Sequence, residues 1–199
     1  EVFGSITQLV AKSLLNVDVG DEEVFYRLLD TTRSYALEKL EQSAELPATR
    51  DRHAQRCLAL MQQAQNDWEQ IPTGQWIGRY ARGLQDIRAA LDWGLSAPGP
   101  HALAIRLTAT STPLWQELSL LNEYGGYVRK ALTLLDAAPE PCPQLKMLLK
   151  LALGSTCYHA QGGTAETIEA FASARALANQ CNDVGGQVRA VSGHLADSL

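Results

Sequence analysis

The sequence lacks the features that mark membrane proteins, disulfide-rich proteins and P-loop nucleotide-binding domains. No apolar run approaches the ~20 residues that a helix needs to span a bilayer. No GxxxxGK[ST] motif occurs. The cysteines, none of them in a CxxC pair, are expected to be buried thiols in a reducing cytoplasm: Cys57, Cys142, Cys157 and Cys181. We therefore expect a cytoplasmic protein without membrane contact.

Residues that carry catalytic or metal chemistry are also scarce. The histidines are His53, His101, His159 and His194. We identify no second ligand-type residue three or four positions from any of them on the same helical face, and no HExxH or GxSxG motif. The sequence therefore predicts no catalytic residue, no metal site and no enzyme activity for this chain.

The charge balance argues against a nucleic-acid-binding surface. The net charge is −5, in a chain that is 46% apolar and 20% charged, as is usual for a globular protein. The excess of acids lies in residues 1–45, which carry four basic and nine acidic side chains. A DNA-reading helix needs several cations to neutralise phosphates, so we expect no direct DNA contact.

The first part of the chain, residues 1–46, changes from helical to strand periodicity and back. The patterns predict a helix over residues 2–14, strands over 15–19 and 24–29, and a second helix over 31–42. Gly20 and Asp21 are turn formers between the strands. The order helix, hairpin and helix matches the last part of a winged-helix unit, which Pro47 ends.

Only helices are predicted after that unit. Their ranges are 49–70, 74–96, 101–118, 122–136, 144–160, 165–181 and 184–199. Proline-rich segments at residues 98–100 and 139–143 separate them, and Pro113 should kink or split the third helix. We assign residues 47–98 to a connecting helical pair and 99–199 to helical repeats. The chain starts with Glu1 rather than Met, and the last helical pattern stops without a following Gly or Pro, which together suggest a fragment of a longer protein.

The best repeat is LKLALGSTCYHAQGGTAETIEAFASARALA, which resembles a tetratricopeptide (TPR) unit. Its first helix carries Gly154 and Tyr158, its turn Gly162, and its second helix Phe171 and Ala174. Small residues would let the two helices approach while aromatic rings fill the space beside them. A degenerate earlier copy has Thr112, Trp115, Tyr124, Val128 and Ala131 at equivalent places. The fold is therefore expected to be mostly α, a partial winged helix with one β-hairpin followed by TPR-like antiparallel helix pairs; an irregular helical bundle is the alternative.

Three segments resemble a known family: LVAKSLL (9–15), YRLLDTTRSYALEKLEQS (26–43) and IRAALDWGL (87–95). They are similar to bacterial signalling ATPases of the STAND, or NB-ARC, type that are fused to a winged-helix transcriptional regulator. The resemblance implies that this chain is the end of the post-ATPase winged helix plus a TPR-like sensor. It implies an upstream nucleotide-binding domain of the same protein as a partner, ATP or ADP for the full-length protein, and no cofactor in this fragment.

One position of that family bears on nucleotide sensing. Related proteins have a Met-His-Asp motif at the end of this winged helix, and Leu28, Leu29 and Asp30 occupy the matching positions. Asp30 is retained, but Leu29 cannot donate a hydrogen bond to phosphate as histidine would. Alternatively, Asp30 or Thr31 is the N-cap of the following helix. On that helix, we expect Tyr35 to face inward.

The aromatic residues are the remaining candidates for a binding surface. Large aromatics are typical of helix cores, but interfaces are also enriched in tryptophan and tyrosine. Trp76 lies at a predicted helix start beside Pro72 and Gly74, so we expect it to be exposed. The candidate partner-binding side chains are Trp76, Trp115, Tyr124 and Tyr158.

Two functional hypotheses follow. In the first, the chain is a regulatory sensor whose repeats bind an unknown inducer or partner protein and pass that occupancy to the nucleotide-binding domain. In the second, it is a passive TPR-like scaffold for protein–protein interaction.

Overall fold

A computed structural model describes residues 2–19, 24–96 and 101–195 of the chain. It divides into two compact units, Glu1–Thr49 and Arg50–Leu199. The predicted turn at Gly20 and Asp21, the proline segment at 98–100 and the side chain of His194 lie outside the described residues. The fold is mostly α-helical with a single two-stranded antiparallel hairpin in the described part, as the sequence predicted. The division into a partial winged helix (residues 1–46), a connecting helical pair (47–98) and helical repeats (99–199) stays a prediction.

The first unit has the predicted order of helix, hairpin and helix. Its elements are α1 Val2–Ala11, β1 Leu15–Val19, β2 Val24–Leu28 and α2 Asp30–Gln42. The strands pair so that Leu15 faces Leu28 and Val17 faces Tyr26. Helix α1 ends sooner than predicted because Ser13 adopts a left-handed conformation, with φ of 55°. The Leu14 amide then donates to the Leu9 carbonyl at 3.0 Å, which closes the helix end.

Helix α2 differs from the prediction in two details. Leu29, not Asp30 or Thr31, is the N-cap residue, and no side chain caps the helix. Asp30 is the first helical residue, where its carboxylate lies near the positive end of the helix dipole. Tyr35 is 60% exposed rather than inward-facing, and α2 contains no buried residue. The second unit begins within the next helix, α3 Leu46–Asp67, so Pro47 lies in the first turn of a helix rather than in a loop.

The second unit contains the remaining helices. They are α4 Thr73–Tyr80, a short 3-10 turn Ala81–Gly83, α5 Leu84–Gly94, α6 His101–Thr110, α7 Thr112–Glu117, α8 Leu121–Asp136, α9 Pro143–Gln161, α10 Ala165–Gln180 and α11 Val184–Leu195. Helix α9 packs on α8 and α10, and α10 packs on α11. Only three residues, Gly162 to Thr164, join α9 to α10. Such a short connection forces the two helices into an antiparallel pair.

Pro113 splits the predicted third helix into α6 and α7. Proline has no amide hydrogen, so the carbonyl of Ala109 one turn earlier loses its helical donor. The Thr112 hydroxyl lies 2.9 Å from that carbonyl oxygen and can donate to it. The same hydroxyl lies 2.6 Å from the phenolic oxygen of Tyr124, which lies 2.7 Å from the Thr108 carbonyl oxygen, so the two hydroxyl protons are shared among three contacts. The break in the helix therefore becomes the centre of a buried polar cluster.

The core of the second unit follows the predicted helical stripes. On α3, Ala54, Cys57, Leu58, Met61 and Ala64 are all buried. Two pairs of positions that the repeat comparison treats as equivalent are buried at both members. They are Val128 with Phe171, and Ala131 with Ala174. The prediction of four buried cysteines is only half right. Cys57 and Cys157 are buried, but Cys142 is exposed in the linker before α9 and Cys181 is partly exposed at the end of α10.

Candidate functional site

An open groove crosses the second unit. It consists of two adjoining cavities of about 440 and 480 Å³ that share Gln116, Ser155, Phe171 and Gly193. The first cavity is lined from α7 to α11, and the second extends to α3 and α6. Because five or more helices contribute to one concave surface, a ligand in the groove would contact most of the helical array at once.

The lining of the groove is rich in polar side chains. Its polar members are Gln65, Thr112, Gln116, Ser119, Asn122, Ser155, Tyr158, His159, Arg189 and Ser192. Its other members are Ala109, Pro113, Leu121, Leu148, Leu151, Ala152, Phe171 and Gly193. Amide and hydroxyl groups both donate and accept hydrogen bonds, so this lining suits a ligand that carries both kinds of group. Among the described residues, no aspartate or glutamate lines either cavity.

The ring of Phe171 forms the floor of the groove and lies between two glycines. A Cβ atom built on Gly154 of α9 would lie 2.7 Å from the ring, and one built on Gly193 of α11 would lie 2.4 Å from it. Both distances are too short for a real methyl group, so α9 and α11 can approach the ring only because these positions are glycine. Phe171 is itself almost completely buried, with 4% of its surface exposed. The groove floor is thus held in place from both sides.

Ser119 sets the path of the chain at the rim. It follows α7 and adopts a left-handed conformation, with φ of 56°. Its amide donates to the Gln116 carbonyl at 3.0 Å, and the Leu120 amide donates to the Trp115 carbonyl at 2.9 Å. This pair of hydrogen bonds closes the end of α7 and starts α8 directly behind it.

Of the candidate partner-binding residues, only Tyr158 lines the groove. The expectation that Trp76 is exposed is wrong, because the side chain is 1% exposed. Its indole nitrogen donates to the Ala64 carbonyl at 2.7 Å, and its ring contacts Trp68 edge-on with centroids 4.8 Å apart. An indole that satisfies a buried carbonyl on the neighbouring helix belongs to the core, since its polar edge already has a partner.

Trp115 and Tyr124 are also fully buried. Their rings stack with centroids 5.5 Å apart and an interplanar angle of 12°. Burial raises the pKa of the Tyr124 phenol, whose hydroxyl is committed to the polar cluster at the α6–α7 break. Because Trp76, Trp115 and Tyr124 are buried, a partner could contact them only after the surrounding helices rearrange. Their assignment as partner-binding residues stays a prediction.

A tyrosine–aspartate pair holds α4 to the end of α3. The Tyr80 hydroxyl donates to Asp67 at 2.5 Å, and Arg79 lies 3.3 Å from the same carboxylate oxygen. Burial, followed by the hydrogen bond to Asp67, raises the pKa of Tyr80 to about 12. Every group in this cluster is paired, so it is a structural contact rather than a reactive site.

His53 has neighbours that the sequence analysis overlooked. Cys57 lies one helical turn after it, with its sulfur 3.9 Å from Nε2, and Asp86 of α5 lies 3.5 Å from the same nitrogen. The hydrogen bond to Asp86, followed by that to Cys57, raises the pKa of His53 to about 10. Within the described residues, no group of three or more metal-ligand side chains comes together.

Other ion pairs join helices outside the groove. Arg88 of α5 forms a bidentate pair with Glu123 of α8, at 2.6 and 2.5 Å, and its guanidinium lies over the ring of Trp115. Arg129 of α8 pairs with Glu166 of α10 at 3.1 Å.

Asp30, the nucleotide-sensing candidate, is exposed at the start of α2. In the part of the chain that the structure describes, no helix combines the length and the apolar character of a membrane span.

Comparisons with known proteins point to transcriptional regulators. The chain is 32% identical over 125 residues to proteins named "Putative HTH-type transcriptional regulator" in Mycobacterium bovis and in two strains of Mycobacterium tuberculosis. The match covers 61% of this chain but 14% of each of those proteins. No family model matches the chain, and no solved structure matches it. The chain therefore resembles one small part of much longer regulators.

Proposed function

We propose that this chain is the sensor segment of an HTH-type transcriptional regulator that is also a STAND-type signalling ATPase. The groove binds an inducer or a partner protein, and its occupancy is passed to a nucleotide-binding domain that is not part of this chain. The observation that carries the proposal is an open groove, lined by both polar and apolar groups, that α3 and α6 to α11 form together. Such a surface can be filled by a ligand without unfolding the core around it.

The first unit has the role of connector in this proposal. Its hairpin and helices supply the winged-helix element that meets the nucleotide-binding domain. It contacts no DNA, because the recognition segment of a winged helix would be residues 5–14, which carry a single basic side chain, Lys12. The chain itself catalyses no reaction; any hydrolysis of ATP takes place in the nucleotide-binding domain, in the cytoplasm.

Coupling requires that the ligand prefer one arrangement of the regulator over another. Coupling free energies of roughly 1–3 kcal/mol correspond to about 5- to 150-fold changes in affinity. The chain can supply such a preference because Phe171 at the groove floor touches both α9 and α11, so a ligand that moves the ring must move the helices.

The test is to compare ATP turnover and oligomer size of the full-length regulator with those of a version that lacks residues 101–199. A sensor predicts a change in turnover, in oligomer size or in both, because the deletion removes the groove. Identical values in the two proteins would refute the sensor and leave the passive scaffold as the better hypothesis.

A further inference from the structure

A thiol, an imidazole and a carboxylate meet where Asp86 of α5 reaches the side of α3. The sulfur of Cys57 lies 3.9 Å from Nε2 of His53, and Asp86 Oδ1 lies 3.5 Å from the same nitrogen. The three side chains line neither cavity of the groove, so their chemistry is separate from that of the proposed sensor. A nucleophile that contacts an acid–base group, which a third residue orients in turn, is typical of reactive thiols.

His53 holds a proton beside the sulfur. The hydrogen bond to Asp86, followed by that to Cys57, raises the pKa of His53 to about 10, so the imidazole is protonated at neutral pH. A thiol attacks as the thiolate, and its attack on a peroxide expels an oxygen anion that must gain a proton. A positioned general acid speeds such a step by about 10²–10⁴-fold. His53 is therefore placed to protonate the oxygen that leaves.

The burial of the sulfur restricts the reagent to a small molecule. Cys57 is 4% exposed, whereas the side chains of His53 and Asp86 are 38% and 72% exposed. Solvent meets the cluster at the imidazole and the carboxylate, so a reagent that reaches the sulfur must be small. Hydrogen peroxide, the smallest hydroperoxide, is uncharged and hardly larger than water.

Cys157 provides an internal reference. It is 3% exposed, as buried as Cys57, and Arg129 Nη2 donates to its sulfur at 3.4 Å. A guanidinium does not lose its proton in proteins, so Arg129 cannot protonate a leaving group. Burial also raises the pKa of the Cys157 thiol. The cationic neighbour of Cys57 can give up a proton and that of Cys157 cannot.

We propose that Cys57 is a site of oxidation by hydroperoxides, with His53 as its proton donor and Asp86 as the residue that positions the imidazole. With hydrogen peroxide, the thiolate sulfur attacks one oxygen, an S–O bond forms and the O–O bond breaks. The departing hydroxide keeps the electron pair of that bond and takes the Nε2 proton of His53, which yields water. Sulfur is oxidised to the sulfenic acid, the peroxide is reduced to water, and the imidazole is left neutral.

The test treats the reduced chain with hydrogen peroxide in the presence of dimedone, which traps sulfenic acid, and follows each cysteine by peptide mass spectrometry. A parallel reaction with iodoacetamide measures access and thiolate content, because iodide leaves without a proton. We expect the ratio of the peroxide rate to the iodoacetamide rate to be at least tenfold higher at Cys57 than at Cys157. Equal ratios, or no trapped sulfenic acid at Cys57, would overturn the proposal.

Two histidine variants test the proton donor. His53→Gln should lower the ratio at Cys57 at least tenfold, because glutamine has no proton to transfer. His159→Gln, which replaces an exposed histidine on α9, is the matched control and should leave the ratio unchanged. If the peroxide and iodoacetamide rates fall by the same factor in His53→Gln, the proton-donor role is rejected. A loosened α3 would raise both rates together, so the ratio decides the question even in a less stable variant.

Two variants of Asp86 test its positioning role. Asp86→Asn should lower the ratio at Cys57, and Asp86→Glu, which keeps the carboxylate, should restore it. A ratio that asparagine leaves unchanged, or a loss that glutamate does not restore, would remove Asp86 from the proposal. These reactions need neither nucleotide nor a ligand in the groove, so their outcome is independent of the deletion experiment on the sensor function.

Discussion

Gly154→Ala is the substitution whose effect the structure defines most closely. The new methyl group would lie 2.7 Å from Cε1 and Cζ of Phe171. The ring cannot retreat, because the space on its other side is closed by Gly193, where a methyl group would lie 2.4 Å from the same ring atom. Overpacking of this kind costs about 1–3 kcal/mol. This cost is partly offset by a gain in stability of up to about 1 kcal/mol, because alanine has a higher helix propensity than glycine.

Gly126→Ala provides the matched control. Gly126 lies within α8, and a methyl group there would meet no atom within 4 Å. Both substitutions replace a helical glycine, so the propensity gain cancels when the two variants are compared. Urea unfolding followed by far-UV circular dichroism should therefore give Gly154→Ala a free energy of unfolding that is about 1–3 kcal/mol below that of Gly126→Ala.

A double-mutant cycle identifies the cause. Phe171→Leu removes the ring atoms that the new methyl group would touch, so it should cost less in the Gly154→Ala background than alone. An interaction free energy of at least about 0.5 kcal/mol is expected for residues in contact. Equal stability of Gly154→Ala and Gly126→Ala, or strict additivity of the two changes at residues 154 and 171, would refute the packing argument.

Three further predictions concern other parts of the fold. Ser119→Gly should raise the free energy of unfolding by about 0.5 kcal/mol in urea unfolding, because serine is strained at φ of 56° and glycine is not. Trp76→Phe should lower it by about 1–3 kcal/mol, since the buried Ala64 carbonyl loses its donor; a loss below the error of the thermal unfolding measurement would contradict that role. The His53–Asp86 pair should contribute its full stabilisation below pH ~6.5 and lose it as the pH rises towards 10. The reason is that the pKa of His53 is higher in the folded protein than in the unfolded chain. Because both side chains are more than a third exposed, Asp86→Asn should cost only about 0.2–1 kcal/mol at pH ~6, and that loss should shrink towards zero above pH ~10.

The hairpin and the helices could be predicted from sequence because their signals are local. Strict alternation in residues 15–19 and the run of β-branched and aromatic residues that starts at Val24 specify two strands, and the observed register pairs Val17 with Tyr26. Pro113 likewise splits the predicted helix, because a proline in the interior of a helix lacks the amide hydrogen that the carbonyl one turn earlier needs. The repeat pattern also predicted that small residues such as Gly154 let its two helices approach, and a methyl group at Gly154 would indeed meet the ring of Phe171 on the second helix.

The buried aromatics and the groove could not be predicted in the same way. Trp76 is buried because its indole reaches a carbonyl 12 residues earlier on α3, which is a tertiary contact. Gly193 was missed because its partner ring lies on another helix and no local pattern connects the two. Tyr158 was chosen for its place in the repeat, and the groove it lines exists only where at least five helices converge.

In the proposed function, the groove, and not merely the presence of the helices around it, controls the regulator. Ser155 lines both cavities, so Ser155→Trp should fill the groove, whereas Ala172→Trp places the same side chain on an exposed position of α10 that lines neither cavity. The decisive measurement is the affinity of the full-length regulator for ADP in these two variants. We predict at least a fivefold change for Ser155→Trp, the lower end of typical coupling, and none for Ala172→Trp. An unchanged affinity in a folded Ser155→Trp protein would contradict the coupling of the groove to the nucleotide-binding domain.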